Sequence, residues 1–105
     1  MNKLMNSAMM PAEGTYQLWR VAREDFVNRL QSRPFESYIG YPETANFLES
    51  VSGMRISVSR EQTTLVDGDT LLIVKLKYRL QNPAQKKDWK PSAEDYEFFV
   101  CGYSA

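Results

Sequence analysis

Three cations stand at alternate positions late in the chain, Lys75, Lys77 and Arg79. On an extended strand a period of two puts them on one face, spread over about 14 Å at a rise of ~3.4 Å per residue. Such a row can meet successive phosphates, and the Arg79 guanidinium can fork onto one of them. A second anion-binding element is the stretch Gly40-Tyr41-Pro42, where the pattern predicts a helix start. The first N–H groups of a helix are unpaired and sit at the positive end of its dipole. Gly40 allows close backbone approach there, and the Thr44 hydroxyl lies within the first turn. A third is the small polar run Asn6-Ser7-Ala8 after a first strand, a common ligand position in open sheets. Each has a plainer reading: a solvated sheet face with edge-protecting lysines, an ordinary helix N-terminus, an ordinary turn. The aromatics Tyr16, Trp19, Tyr38, Tyr41 and Tyr78 fit core and rim better than base-stacking platforms. Glu24-Asp25 and Glu94-Asp95 read as surface charge.

What is missing narrows the chemistry further. The 105 residues contain no histidine, which excludes serine–histidine triads, imidazole acid–base catalysis and histidine-ligated metals. One cysteine, Cys101, excludes an internal disulfide and a thiolate-cluster zinc site, and reads as a small buried apolar residue. No metal or cofactor is expected. Thirteen basic residues balance thirteen acidic ones, so the global charge gives no drive toward long nucleic acid or a membrane surface. Any polyanion site must be a local cluster. The longest apolar run, Leu71–Val74, is far short of the ~20 residues of a spanning helix. With no signal-peptide pattern and a lone thiol, the expected location is the cytoplasm.

The elements that must position these residues follow from periodicity. A hydrophobic share of 43% and a charged share of 25% fit one globular domain over residues 1–105. Residues 2–6 predict a short strand, and Thr15–Val21, rich in β-branched and aromatic side chains, a second. Ala22, Phe26 and Leu30 recur every four residues, predicting an amphipathic helix over 22–32 that Pro34 ends. Phe35–Ile39 predicts a strand. Thr44, Phe47, Leu48 and Val51 form the apolar stripe of a second helix beginning at Pro42, with Gly53 as its C-cap. Met54, Ile56 and Val58 alternate, predicting a strand that ends near Arg60. Residues 61–69 form a connection carrying an Asp67-Gly68 turn. Over 70–80, Leu72, Val74, Leu76, Tyr78 and Leu80 face one way and the cations the other. Residues 81–94 form a long loop, a length usually tied to function. Tyr96, Phe98 and Val100 then alternate in a last strand. The class is α+β (mixed α/β), a mixed sheet of five to six strands carrying two helices.

Several of these stretches occur together, in order and at similar spacing, in one family. Leu4-Met5-Asn6-Ser7-Ala8-Met9, Ser37 to Ala45 through Ile39-Gly40-Tyr41-Pro42, Ser59-Arg60, Gly68-Asp69 and Leu76-Lys77-Tyr78-Arg79-Leu80 resemble the viral ring nucleases, the type III anti-CRISPR proteins. The resemblance spans nearly the whole chain. It implies a two-fold dimer, or a higher homo-oligomer, that binds cyclic tetra-adenylate across the interface, since a ring ligand matches two-fold symmetry. Under it Asn6, Ser7 and Ala8 correspond to the family's ligand loop, Gly40, Tyr41 and Thr44 to its helix-start motif, and Arg60 and Arg79 to its basic residues. Gln81 and Asn82 stand in the neighbourhood where the family carries a glutamate. Active members carry a histidine, the expected general acid, where this chain has Tyr41. A tyrosine ordinarily titrates near ~10 against ~6.5 for histidine, and losing a matched acid typically costs about 10²–10⁴ in rate. The expectation is therefore binding without efficient cleavage: an anti-defence sponge for a cyclic nucleotide or an ADP-ribose-type messenger, acting in the host cytoplasm if viral. The alternatives are a slow metal-independent ring nuclease using Tyr41 and Arg79, and a protein-interaction module with no nucleotide ligand.

Overall fold

The computed structural model describes residues 2–6, 13–59, 61, 64–77 and 93–105. The strands are β1 (Asn2–Met5), β2 (Thr15–Val21), β3 (Phe35–Tyr38), β4 (Thr70–Leu76) and β5 (Tyr96–Ser104). The helices are α1 (Arg23–Ser32) and α2 (Pro42–Ser52), and a single 3-10 turn, Ala93–Asp95, leads into β5. One five-stranded sheet runs in the order β2-β5-β4-β1-β3. β1 lies parallel to both β3 and β4, while β5 is antiparallel to β4 and β2. The α+β class with a mixed sheet and two helices is the observed architecture.

Both helices cover one face of the sheet. Phe26 and Leu30 of α1 and Ala45, Phe47 and Leu48 of α2 join Leu4, Leu72, Val74, Phe98 and Val100 in the main core. The four-residue spacing of Phe26 and Leu30 puts both on the buried side of α1, and Phe26 packs at 5.1 Å from Phe98. α1 carries Glu24 and Asp25 in its first turn and Arg29 in its last, the arrangement its dipole favours. α2 ends at Gly53 with φ 71°, a left-handed C-cap whose N–H meets the Glu49 carbonyl at 2.9 Å. Gly14 is a second position that requires glycine: at φ 151°, an added Cβ would stand 2.5 Å from the Ser104 carbonyl oxygen and 2.6 Å from the Tyr103 ring.

The structure corrects three expectations. The alternation Met54, Ile56, Val58 does not make a strand ending near Arg60. It yields one parallel bridge, Ile39 to Val58. Its backbone groups are taken up elsewhere: the Ile56 N–H donates to the Glu49 carboxylate at 3.0 Å and the Ser57 carbonyl accepts from the Ser37 hydroxyl at 2.5 Å. With those groups engaged, no ladder forms. The alternation over 70–80 also fails as a one-faced pattern. Leu71 and Ile73 are as buried as Leu72 and Val74, because β4 is an interior strand with Met5, Cys101 and Leu65 packing on its second face. The edge-protecting reading of the cation row also falls: Lys75 and Lys77 are both exposed, but β4 is an interior strand. Lys75 is exposed on β4 opposite Glu97, whereas Lys77 lies past the strand end, where its N–H donates to the Asp95 carbonyl at 2.9 Å. Since β4 is interior, Lys75 guards no edge.

Candidate functional site

The residues that meet are those at the C-terminal ends of β1 and β3. Parallel pairing sets Met5 opposite Tyr38. One residue beyond Met5, the Asn6 side-chain oxygen accepts the Gly40 N–H at 3.2 Å, across 34 positions of sequence. Ile39 is fully buried just before this contact, so the chain is anchored where it turns. α2 then begins, with Tyr41 as N-cap and Pro42 at its first position. Pro42 suits that position because its missing N–H is one the helix leaves unpaired anyway. Among the described residues no side-chain cap closes this end, and the Ala45 N–H closes the first turn onto the Tyr41 carbonyl at 3.1 Å. Tyr41 is 36% exposed. Glu43 in the same turn stabilises the helix dipole but opposes an incoming anion.

Asn6 and Gly40 are thus in contact, with Tyr41 next in the chain. Thr44 is not available to a ligand. It is 1% exposed, and its hydroxyl shares a hydrogen bond with the Tyr96 hydroxyl at 3.1 Å. Phe47 stacks on the same Tyr96 ring at 4.7 Å, so Thr44 fastens α2 to β5. Ser7, Ala8, Arg60, Arg79, Gln81 and Asn82 lie outside the described residues. Cys101 is buried, and burial pushes its thiol above the ordinary range.

Sequence reasoning missed a charged cluster on the face of the sheet away from the helices. The Lys3 ammonium, 7% exposed as a residue, donates to the Glu36 carboxylate at 2.5 Å and lies 4.0 Å from the buried Asp69 carboxylate. It also stands 5.8 Å from the centre of the Tyr38 ring. Its hydrogen bond to Glu36 holds the lysine pKa above the ordinary value against the opposing effect of burial. Paired with both carboxylates, the ammonium anchors β1 to β3 and to the approach to β4. Among the described residues no three acidic, histidine or cysteine side chains converge as a metal set would.

A model of the STIV B116-like family matches residues 2–90. The chain belongs to the STIV B116-like family. The match takes in β1 through β4, α1 and α2, and with them every element that builds the Asn6–Tyr41 corner. Among solved structures the fold is similar to B116 of Sulfolobus turreted icosahedral virus, with a TM-score of 0.75 at 20% identity over 96% of this chain and 97% of that one. At that identity the likeness establishes the fold, and the family is one named for a viral protein. No curated protein matches the sequence. No helix among the described residues is long and apolar enough to cross a membrane.

Chemically, the B116-like corner offers an uncapped helix N-terminus, an amide side chain and a tyrosine ring at one end of the sheet. That set suits a phosphate bonded to backbone N–H groups with a planar base against the ring.

Proposed function

We propose that this B116-like protein binds and sequesters a cyclic nucleotide, or a related signalling nucleotide, as an anti-defence sponge that does not cleave it efficiently. The observation that carries the reading is the junction of Asn6 with Gly40 beneath the uncapped start of α2, with Tyr41 at its rim. Phosphate at a helix N-terminus and base against an aromatic ring are the two halves of nucleotide recognition. The ordered motifs shared with viral ring nucleases point the same way, and the viral name of the family agrees with an anti-defence role. Tyrosine at position 41, where the viral ring nucleases the chain resembles carry a histidine, retains a planar ring and a hydroxyl while removing the matched acid. Sequestration needs only slow release, and nanomolar affinity corresponds to about −12 kcal/mol.

The test is capture and release. The protein is incubated with cyclic tetra-adenylate, cyclic dinucleotides and ADP-ribose-type messengers, washed and denatured, and the released material is run on HPLC. Intact ligand in near-stoichiometric amount is the expected result, with Tyr41→Ala lowering capture at least tenfold, about 1.4 kcal/mol. Linear product would instead establish a slow ring nuclease. Recovery of neither ligand nor product would overturn the nucleotide reading, and a stoichiometric protein partner in a pull-down would then favour an interaction module.

A further inference from the structure

Among the described residues the segment 54–58 meets the end of β3 only at the Ile39–Val58 bridge, and a gap opens beside the start of the strand. Pro34 and Phe35 line this gap on one side, Met54 and Arg55 on the other, with Gln31 and Arg33 at the end of α1, around an open pocket of about 410 Å³. Its floor is apolar, since Phe35 and Met54 are half-buried against the main core. Five arginines lie among the described residues. Arg20, Arg23 and Arg29 are paired with Glu97, Glu24 and Asp25. The two that have no ion pair or hydrogen bond among the described residues, Arg33 and Arg55, both line this pocket. Carboxylates on the adjoining segments are turned elsewhere, Glu36 to Lys3 and Glu49 to the Ile56 N–H. Nor do the two guanidiniums cap the helices that end nearby. The Ser52 carbonyl accepts from the Gln31 amide at 2.7 Å, the Glu49 carbonyl from the Gly53 N–H at 2.9 Å and the Arg29 carbonyl from the Ser32 hydroxyl at 3.0 Å. We infer that this pocket binds an organic carboxylate bearing one apolar or aromatic group.

Each guanidinium offers five N–H donors in a planar fork that fits a carboxylate through two parallel bonds. A cleft lined by one sign of charge concentrates the opposite sign. Which anion it takes is decided by the helix ends. α1 ends at Arg33 and α2 at Gly53, and each C-terminus contributes roughly −0.5 of an elementary charge. Two guanidiniums less two such ends leave about +1, which one carboxylate neutralises and a doubly charged phosphate exceeds. Phosphate is better served at a helix N-terminus, as at the start of α2. Pro34, Phe35 and Met54 supply the surface for the hydrocarbon group, and the volume falls within the ~300–1,000 Å³ of small-ligand pockets. Two sources present this chemistry: a free aromatic or aliphatic acid, and the C-terminus of a polypeptide ending in an apolar residue. The pocket is separate from the proposed nucleotide site. Phe35 opens β3, and four rises of ~3.3 Å, roughly 13 Å, lie between it and Ile39, with the Asn6–Gly40 corner beyond.

Proton–nitrogen NMR titration of the full chain at neutral pH tests this with 3-phenylpropanoate, its neutral amide and inorganic phosphate. The expected result is saturable shifts at the amides of Arg33, Phe35, Met54 and Arg55 with 3-phenylpropanoate, and binding at least about tenfold weaker for the amide and for phosphate. Arg33→Gln and Arg55→Gln should each raise the dissociation constant at least about threefold, and the double variant at least about tenfold. Both side chains are exposed, so circular dichroism should be unchanged. A tripeptide, acetyl-Ser-Gly-Phe as free acid and as amide, separates the sources. Tighter binding of its acid than of 3-phenylpropanoate assigns the pocket to a chain terminus, and weaker binding assigns it to a free acid. Shifts that do not saturate, an amide as effective as the acid, phosphate bound more tightly than the carboxylate, or a double variant that binds like the wild type would each overturn the inference.

Discussion

Replacing Lys3 by Met removes a buried charge while keeping a flexible apolar stem of similar length, so the loss it measures is mainly electrostatic. Two carboxylates depend on that ammonium. Glu36 is half-exposed, and its share is screened by water, which limits it to about 1 kcal/mol or less. Asp69 is different: its side chain is 2% exposed and cannot turn to solvent. At 4.0 Å the gross attraction is about 4 kcal/mol at an effective dielectric constant near ~20. The desolvation that Lys3 itself undergoes offsets part of this. Asp69 keeps the bond from the Val66 N–H at 3.0 Å, which further softens the loss. The expected destabilisation is about 2–3 kcal/mol, equivalent to a fall of roughly 10–20 °C in Tm for a domain of this size. Urea unfolding followed by circular dichroism measures it, and Asp69→Asn added to Lys3→Met should recover part of the loss because it removes the carboxylate charge that Lys3 balanced. The pH dependence has a definite sign. The folded-state pKa of Lys3 is raised, so its contribution is complete below the unfolded value of about 10.4 and is lost as pH climbs through the higher folded value. The variant should therefore show a shallower alkaline fall in stability above about pH 10.4 than the wild type. A cost below about 0.5 kcal/mol, or an unchanged alkaline limb, would refute the claim that the cluster anchors β1.

Two further substitutions probe neighbouring parts of the fold. Thr44→Val deletes the hydroxyl that meets Tyr96 at 3.1 Å while keeping the side chain's shape; a loss of about 1 kcal/mol by urea unfolding, with unchanged nucleotide capture, is expected if Thr44 fastens α2 and touches no ligand. Weakened capture at unchanged stability would return Thr44 to the site. Cys101 is buried and its thiol is pushed up by burial, so iodoacetamide at pH 8 should label the native protein far more slowly than the urea-unfolded chain. Equal rates would show that the second face of β4 is open to solvent.

Both helices were legible because their apolar residues repeat at the helical period. Phe26 and Leu30, and Phe47 and Leu48, are buried where that period puts them. Strand β4 was legible as a strand but not in its surroundings. Alternation presumes one wet face, and an interior strand covered on both sides buries Leu71 and Ile73 along with Leu72 and Val74. The segment 54–58 misled in the opposite sense. Ile56 is buried like a strand residue, yet a carboxylate seven positions away satisfies its N–H, and a period of two cannot reveal where a backbone bond goes. The Lys3 cluster left no local trace, since its partners Glu36 and Asp69 are brought to it by pairing with β3 and by the turn before β4.

The candidate site was legible in its residue types and illegible in its assembly, and Asn6 and Thr44 show why. Nothing near Asn6 in the chain indicates that it should meet Gly40. Their contact exists because β2 and α1 return the chain to a β3 parallel to β1 in a register that ends both strands together. Residue chemistry nominated the two, and topology joined them. Thr44 failed for a reason internal to helices. A hydroxyl in the first turn can turn outward to an anion or inward to the core, and the choice is set by its angle to the apolar stripe. Thr44 lies three residues before Phe47 and four before Leu48, which puts it on the buried side, where the Tyr96 hydroxyl is the acceptor or donor within reach. The stripe that predicted α2 therefore also turned Thr44 into the core, leaving Tyr41, one residue before the helix, exposed.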